Sequence, residues 1–129
     1  MPAPSSATYS VAALEAAHQA FADLIDAGVD AGFIRIRTAS DALLAEIPLS
    51  DPCGTVSAVT GRLTFSIAGT DTALIDGAAA YGEFVSAPGA VHLSLPAAEG
   101  ASAVSGYIVL NTLVFATGAE VSISSAVIG

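Results

Sequence analysis

Lysine and tryptophan are missing from this sequence, and positive charge is scarce. Three arginines stand against twelve Asp and Glu residues, so the chain of 129 residues carries a formal net charge of -9. Binding to nucleic acid or to an anionic membrane surface requires clustered Lys and Arg side chains. We therefore expect neither nucleic acid nor a membrane among the partners of this protein.

Cysteine is almost as scarce, because Cys53 is the single example. One thiol cannot form an internal disulfide framework or a cysteine-rich zinc site. We interpret Cys53 as a buried, inert thiol rather than a reactive one.

Groups that catalyse reactions are also few. His18 and His92 are the two histidines, and neither has an acid–base partner nearby in the sequence. We expect a structural or interface role for His18 and an outward-facing position for His92. No G-x-S-x-G motif marks a serine nucleophile, and Asp71 and Asp76 lack the alternating oxygen ligands of a calcium loop, so we interpret them as turn caps. The sequence predicts no enzyme, no cofactor and no metal site.

Long apolar runs are missing too, although 53% of the residues are hydrophobic and the mean hydropathy is +0.72. The most apolar region, residues 104–117, is interrupted by polar residues and is shorter than the ~20 residues of a transmembrane helix. No basic residue precedes the apolar stretch near the N-terminus, so we expect no secretory signal. Because a monomer would have little charged surface, we expect neighbouring subunits to cover much of the protein.

What the sequence does contain is one helical pattern near its N-terminus. Residues 1–9 hold two prolines and a Ser/Thr cluster, which predict an extended arm. Ser10 is a suitable N-cap, an Ala-rich stretch with periodic apolar residues follows, and Gly28 is suited to end the helix. We therefore predict a helix over about residues 10–28.

Beyond residue 32 the hydrophobic period becomes that of strands. In Phe33–Thr38, Ile34 and Ile36 share one face and the two arginines share the other. The next segment, Leu43–Leu49, contains Pro48, which predicts that the strand lies at an edge or ends its ladder there.

The later alternating segments are separated by residues typical of turns and loops, notably at Asp51–Gly54 and Pro96–Ser105. The last two segments are typical of a hairpin. One helix followed by about eight short strands predicts a mainly β fold, specifically an antiparallel β-sandwich or jelly roll over about residues 33–125. We expect residues 10–129 to form a single domain.

Four residues are candidates for a contact between subunits, namely Phe21, Asp26, Arg35 and Arg37. Asp26 forms an acidic cluster with Asp23 and Asp30 at the negative end of the helix, either as a solvated face or as a partner contact. The two arginines are the nearest cations for carboxylates of the same chain or of a neighbour. A cross-strand pair with Glu46 is the first interpretation, and a bridge between subunits is the second.

The order of short landmarks along the chain resembles that of a known group of proteins. The landmarks are FIRIR (33–37), LLAEI (43–47), SDP (50–52), GRLTF (61–65), GAAAYGEF (77–84) and LVFATGAEVSIS (113–124). In this order the chain resembles small virion proteins of tailed bacteriophages, found among head and tail structural proteins. The resemblance covers roughly residues 33–125. It departs from the pattern of that group at Tyr81–Phe84, where an aromatic residue followed by Arg is usual.

The resemblance implies a noncatalytic structural role, most specifically that of a capsid decoration or cement protein that binds capsid subunits as a trimer. The expected partners are further copies of the chain and the major capsid protein. The expected location is the head surface of the virion, after synthesis in the host cytoplasm. Two other interpretations stay open: a neck, tail or baseplate subunit, and a carbohydrate-binding sandwich. The second usually needs aromatic platforms, and this chain has only five Phe and three Tyr.

Overall fold

The computed structural model describes residues 10–28, 30–86 and 89–129. The predicted arm, residues 1–9, lies outside the described residues. The elements in chain order are α1 (Val11–Asp26), β1 (Phe33–Arg37), β2 (Leu43–Val56), β3 (Leu63–Ile67), β4 (Asp71–Thr72), β5 (Gly77–Ala78), β6 (Tyr81–Ser86), β7 (Ala90–Glu99), β8 (Tyr107–Leu110), β9 (Val114–Phe115), β10 (Glu120–Val121) and β11 (Ile123–Ile128).

The helix α1 begins where the sequence predicts. The Ser10 hydroxyl accepts a hydrogen bond from the Ala13 N–H at 3.1 Å, which satisfies one of the free donors of the first turn. Ala22 and Ile25 are buried on the inner side. The helix ends at Asp26, two residues before the predicted Gly28.

Seven strands close into one barrel in the order β1-β2-β3-β11-β8-β7-β6, with β6 pairing back to β1. Neighbouring strands are antiparallel except β7 and β8, which are parallel. The mainly β class with one N-terminal helix is therefore confirmed. The sandwich or jelly roll is not confirmed, because these strands form one closed barrel rather than two separate sheets.

The strand β2 is longer than the sequence predicts and serves two neighbours. Pro48 forms the last pair of the β1–β2 ladder, opposite Phe33, as its missing N–H predicts. The predicted turn at Asp51–Gly54 is wrong, because β2 continues through an irregularity in register and pairs with β3 up to Val56. Gly54 allows this close approach, since a Cβ there would lie 2.5 Å from the Thr64 carbonyl oxygen.

The strand β7 also runs through a predicted loop. Its residues 90–96 pair with β6, where Pro96 lies opposite Tyr81, and residues 97–99 then pair in parallel with β8. The loop predicted for Pro96–Ser105 is therefore wrong over its first four residues. The predicted C-terminal hairpin is confirmed for β8 and β11, while the segment between them extends away to pair with β4 and β5.

Apolar side chains fill the barrel interior. Ile34 and Ile36 of β1 are fully buried, as their alternation predicts. The rings of Phe65 and Phe84, from β3 and β6, lie 4.3 Å apart between centroids, so opposite walls of the barrel are in contact. Each buried side chain of this size contributes roughly 1.5–3 kcal/mol of hydrophobic stabilisation.

Both ends of the barrel are covered. At the first end, α1 packs on β2, β3, β6 and β7, which lie on either side of β1. At the second end, the ladders β4–β10 and β5–β9 bury Ala73, Ala79, Phe115 and Val121. The outer faces of the strands are left as the main surface of the molecule.

Candidate functional site

The predicted interface residues Arg35 and Arg37 lie on the outer side of β1, in the middle of the sheet formed by β2, β1 and β6. Arg35 lies opposite Glu46 on one neighbour and Glu83 on the other, and Arg37 lies opposite Tyr81. We use the name β1 face for the surface formed by Phe33, Arg35, Arg37, Glu46, Tyr81 and Glu83.

Arg37 is held by groups of its own chain. Its Nε donates to Glu83 Oε1, and its Nη1 donates to the Asp41 carbonyl oxygen at 3.1 Å. The hydrogen bond to Glu83 raises the pKa of Arg37, so the guanidinium stays charged. Tyr81 donates its hydroxyl to Asp41 Oδ1 at 2.7 Å, and this bond raises the pKa of the tyrosine. The network ties the turn after β1 to β6.

Arg35 is held much more loosely. Its Nε lies 4.0 Å from Glu46 Oε1, which confirms the predicted cross-strand pair, and the two side chains are 26% and 45% exposed. Its guanidinium carbon lies 5.2 Å from the centroid of the Phe33 ring, a cation–π contact. Among the described residues no group accepts a hydrogen bond from Arg35.

Phe21 and Asp26, the other two predicted interface residues, lie between α1 and the barrel and not on the β1 face. The Phe21 ring packs edge-on against Phe65 at 6.2 Å between centroids. Both carboxylate oxygens of Asp26 accept from the Cys53 N–H, at 3.0 and 3.2 Å. The contacts of Phe21 with Phe65 and of Asp26 with Cys53 attach α1 to the barrel.

Cys53 is buried at this junction, as the sequence predicts. Burial raises the pKa of its thiol to about 12, and the neighbouring Asp26 carboxylate acts in the same direction. The thiol therefore stays protonated at neutral pH and is a poor nucleophile.

Each histidine contacts a group outside its own helix or strand. His18 Nδ1 lies 2.6 Å from the Gly61 carbonyl oxygen, so this histidine joins α1 to the turn between β2 and β3. His92 Nε2 lies 3.0 Å from Ser86 Oγ. The prediction that His92 simply faces outward is wrong, because β7 has a bulge beside His92 that breaks the alternation.

The pair of Ser86 and His92 does not have the features of a catalytic pair. Ser86 is only 6% exposed and lies in a strand rather than in an exposed turn. Among the described residues no carboxylate accepts from the His92 ring to orient it. The contact satisfies a buried hydroxyl, and sequence reasoning missed it because the partners meet only across two paired strands.

The turn cap predicted for Asp76 is confirmed, whereas the one predicted for Asp71 is wrong, because Asp71 lies in β4 and accepts from a backbone N–H of β2. Asp76 Oδ1 accepts from the N–H and the hydroxyl of Thr117 at 2.7 and 2.9 Å, and these bonds lower the pKa of Asp76. Asp71 Oδ2 accepts from the Glu46 N–H at 2.9 Å. Within the described ranges, no group of three or more His, Cys, Asp or Glu side chains is arranged to hold a metal ion.

Several large apolar side chains are exposed instead of buried. Val59 is 83% exposed in the turn between β2 and β3, and Val114 is 72% exposed in β9. The others are Val11, Leu24, Leu74, Val91, Val104 and Tyr107. These side chains are candidates for contacts with neighbouring molecules.

With 16 residues, α1 falls short of the span that a bilayer requires, and the part of the chain that the structure describes holds no helix that meets it. Comparison with known protein families, with curated proteins and with solved structures finds no match to this chain.

Proposed function

We propose that this chain is a non-enzymatic structural subunit of a tailed-bacteriophage virion. Its specific role is that of a decoration or cement protein, which binds capsid subunits on the head surface and stabilises the head. It is made in the host cytoplasm and acts as a homo-oligomer, with three copies as the expected number.

The observation that carries the proposal is the exposed apolar surface at both ends of the barrel. Val59 lies at the end that α1 covers, and Val114 and Leu74 lie at the end that the short ladders cover. Burial of each valine against a neighbour contributes up to roughly 1.5–3 kcal/mol. A protein with apolar side chains at opposite ends is suited to contact more than one neighbour, as a subunit of a shell does.

The side chains that could act in catalysis are buried or hydrogen-bonded within the chain, which supports a noncatalytic role. Cys53 is buried and protonated, and Ser86 and His92 form a hydrogen bond with each other. Arg37 donates hydrogen bonds to Glu83 and to the Asp41 carbonyl oxygen. These groups stabilise the barrel itself.

The landmark order supports the virion class, since it covers most of the barrel. The contact of Phe65 with Phe84 across the interior gives the barrel two packed walls, which is the feature it shares with the proposed sandwich or jelly roll.

Co-sedimentation with phage heads that lack this protein tests the proposal. We expect the purified protein to sediment with the heads and to saturate at a fixed number of copies per capsid subunit. Val59→Asp or Val114→Asp should weaken binding at least about tenfold, the effect of ~1.4 kcal/mol. Ser102→Asp, in an exposed loop, is the matched control and should bind as the wild type does.

Electron microscopy of labelled particles then locates the bound protein. Label over the head surface supports the proposal, whereas label at the neck, tail or baseplate replaces it with the alternative structural role. Failure of the protein to bind any virion part contradicts the proposal.

A further inference from the structure

We infer that the β1 face of one copy binds the acidic C-terminal end of α1 in a second copy, with Arg35 as the central contact. The inference rests on the proposed function only in requiring that the protein forms a homo-oligomer. It names the surface and the residues through which the copies meet.

The first support is the state of Arg35. Of the two arginines on the β1 face, Arg37 donates hydrogen bonds to Glu83 and to the Asp41 carbonyl oxygen, whereas Arg35 donates none to the described residues and lies 4.0 Å from Glu46. Its stacking on Phe33 holds the guanidinium in place without using its N–H donors. An arginine that is oriented but not saturated is ready to bind a carboxylate with two hydrogen bonds.

The second support is the composition of the β1 face. It combines two of the three arginines of the chain and their paired Glu46 and Glu83 with the aromatic rings of Phe33 and Tyr81. Arg and aromatic residues are enriched in the parts of protein interfaces that contribute most to affinity. The hydrogen bonds of Arg37 and Tyr81 make this surface rigid, so its binding would cost little ordering of side chains.

The third support is charge complementarity within this one sequence. The last turn of α1 contains no basic residue, although the helix end is the negative end of its dipole. Asp23 and Asp30 are exposed there, while the Asp26 carboxylate is occupied by the Cys53 N–H. A second copy therefore offers exposed carboxylates that pair with no cation among the described residues to an arginine whose own ion pair, with Glu46, is long and partly exposed.

Light scattering of the separated oligomer tests the inference. Arg35→Glu should weaken self-association at least about tenfold, because it places like charges together at the contact. The double variant Asp23→Arg with Asp30→Arg should weaken it to a similar extent. An equal mixture of the two variants should associate again, since each reversed charge then meets its complement.

Control variants distinguish a loss of the contact between copies from a loss of the folded structure. Arg62→Glu removes the third arginine, which donates to Gly129 away from the β1 face, and should leave the oligomer unchanged. Arg35→Gln, which keeps the size of the side chain without the charge, should give an intermediate loss. Each variant must melt cooperatively near the wild-type temperature by circular dichroism, and Arg35→Gln decides the result if Arg35→Glu fails to fold.

Three outcomes would overturn the inference. They are a wild type that is monomeric at every concentration, an Arg35→Glu variant that keeps the oligomer, and mixed variants that stay apart. If Arg35→Glu keeps the oligomer but no longer binds phage heads, a capsid protein covers the β1 face instead of a second copy. If the mixed variants associate but nothing binds to heads, the proposed function fails while the contact between copies stands.

Discussion

At the scale of single residues, the polar side chains of this protein are occupied mainly by one another. Asp26 accepts from the Cys53 N–H, His92 contacts the buried Ser86, and Asp76 accepts from Thr117. The types of residue were readable from the sequence, but their partners lie on other elements. The strand pairing therefore determines which polar side chains find a hydrogen-bond partner. Arg35 finds none among the described residues.

The two ion pairs of the β1 face differ in length and exposure, and two matched variants test whether they also differ in their contribution to stability. Glu83→Gln should lower the free energy of unfolding by about 1–2 kcal/mol, because it removes a charged acceptor from the partly buried Arg37. Glu46→Gln should change it by less than about 0.5 kcal/mol, because its pair with Arg35 is longer and more exposed. Urea denaturation measures both values, and equal losses in the two variants would contradict the assignment.

The thiol of Cys53 should be unreactive in the folded protein. Because burial raises the pKa of the thiol to about 12, almost no thiolate forms at pH 8, and the side chain is inaccessible as well. A disulfide reagent that releases a coloured thiolate should react within minutes in denaturant and only very slowly without it. Rapid labelling of the native protein would show that Cys53 is not buried as described.

At the scale of elements, the sequence predicts best where a strand has one solvent face. β1 was predicted correctly, because Ile34 and Ile36 alternate with two arginines. β2 and β7 were cut short, because Pro52, Gly54 and Pro96 are local signals for turns. In the folded chain Pro52 lies in the irregular part of β2, whereas Gly54 and Pro96 are paired with Phe65 and Tyr81. Pairing with neighbouring strands outweighs the local preference of these residues.

The ladders at the second end of the barrel depend on the cap that Asp76 provides. The hydrogen bonds from Thr117 lower the folded-state pKa of Asp76 below its unfolded value of 3.8. Their stabilisation is therefore complete above that value and is lost as the pH falls through the folded-state pKa. Asp76→Ala should lower the melting temperature at pH 6, and the difference from wild type should shrink towards pH 2.

The control for this experiment is Glu120→Gln, which removes the charge of an exposed carboxylate in β10 that makes no hydrogen bond to the described residues. It should shift the melting temperature much less at pH 6. A loss on Asp76→Ala that is the same at pH 2 and pH 6 would mean that the charge of Asp76 does not matter for the cap.

At the scale of the whole molecule, closure of the barrel was beyond sequence reasoning. It requires β6 to return to β1 and β7 to pair in parallel with β8, and neither pairing leaves a local signal. The low charge and high apolar content are evident from the sequence, and they predict that neighbouring subunits cover part of the surface. The structure adds that the exposed apolar side chains lie at both ends of the barrel. It also places Arg35, which has no hydrogen bond to the described residues, on the β1 face.

The central claim is that this small barrel stabilises a phage head by binding to its surface. The most direct measurement is the temperature at which DNA-filled heads lacking the protein release their DNA, recorded with and without saturating protein. A cement role predicts a higher release temperature with the wild type, and a smaller rise with the Val114→Asp variant at the lowest concentration that saturates the heads with wild type. An unchanged release temperature at full occupancy of the heads would contradict the claim.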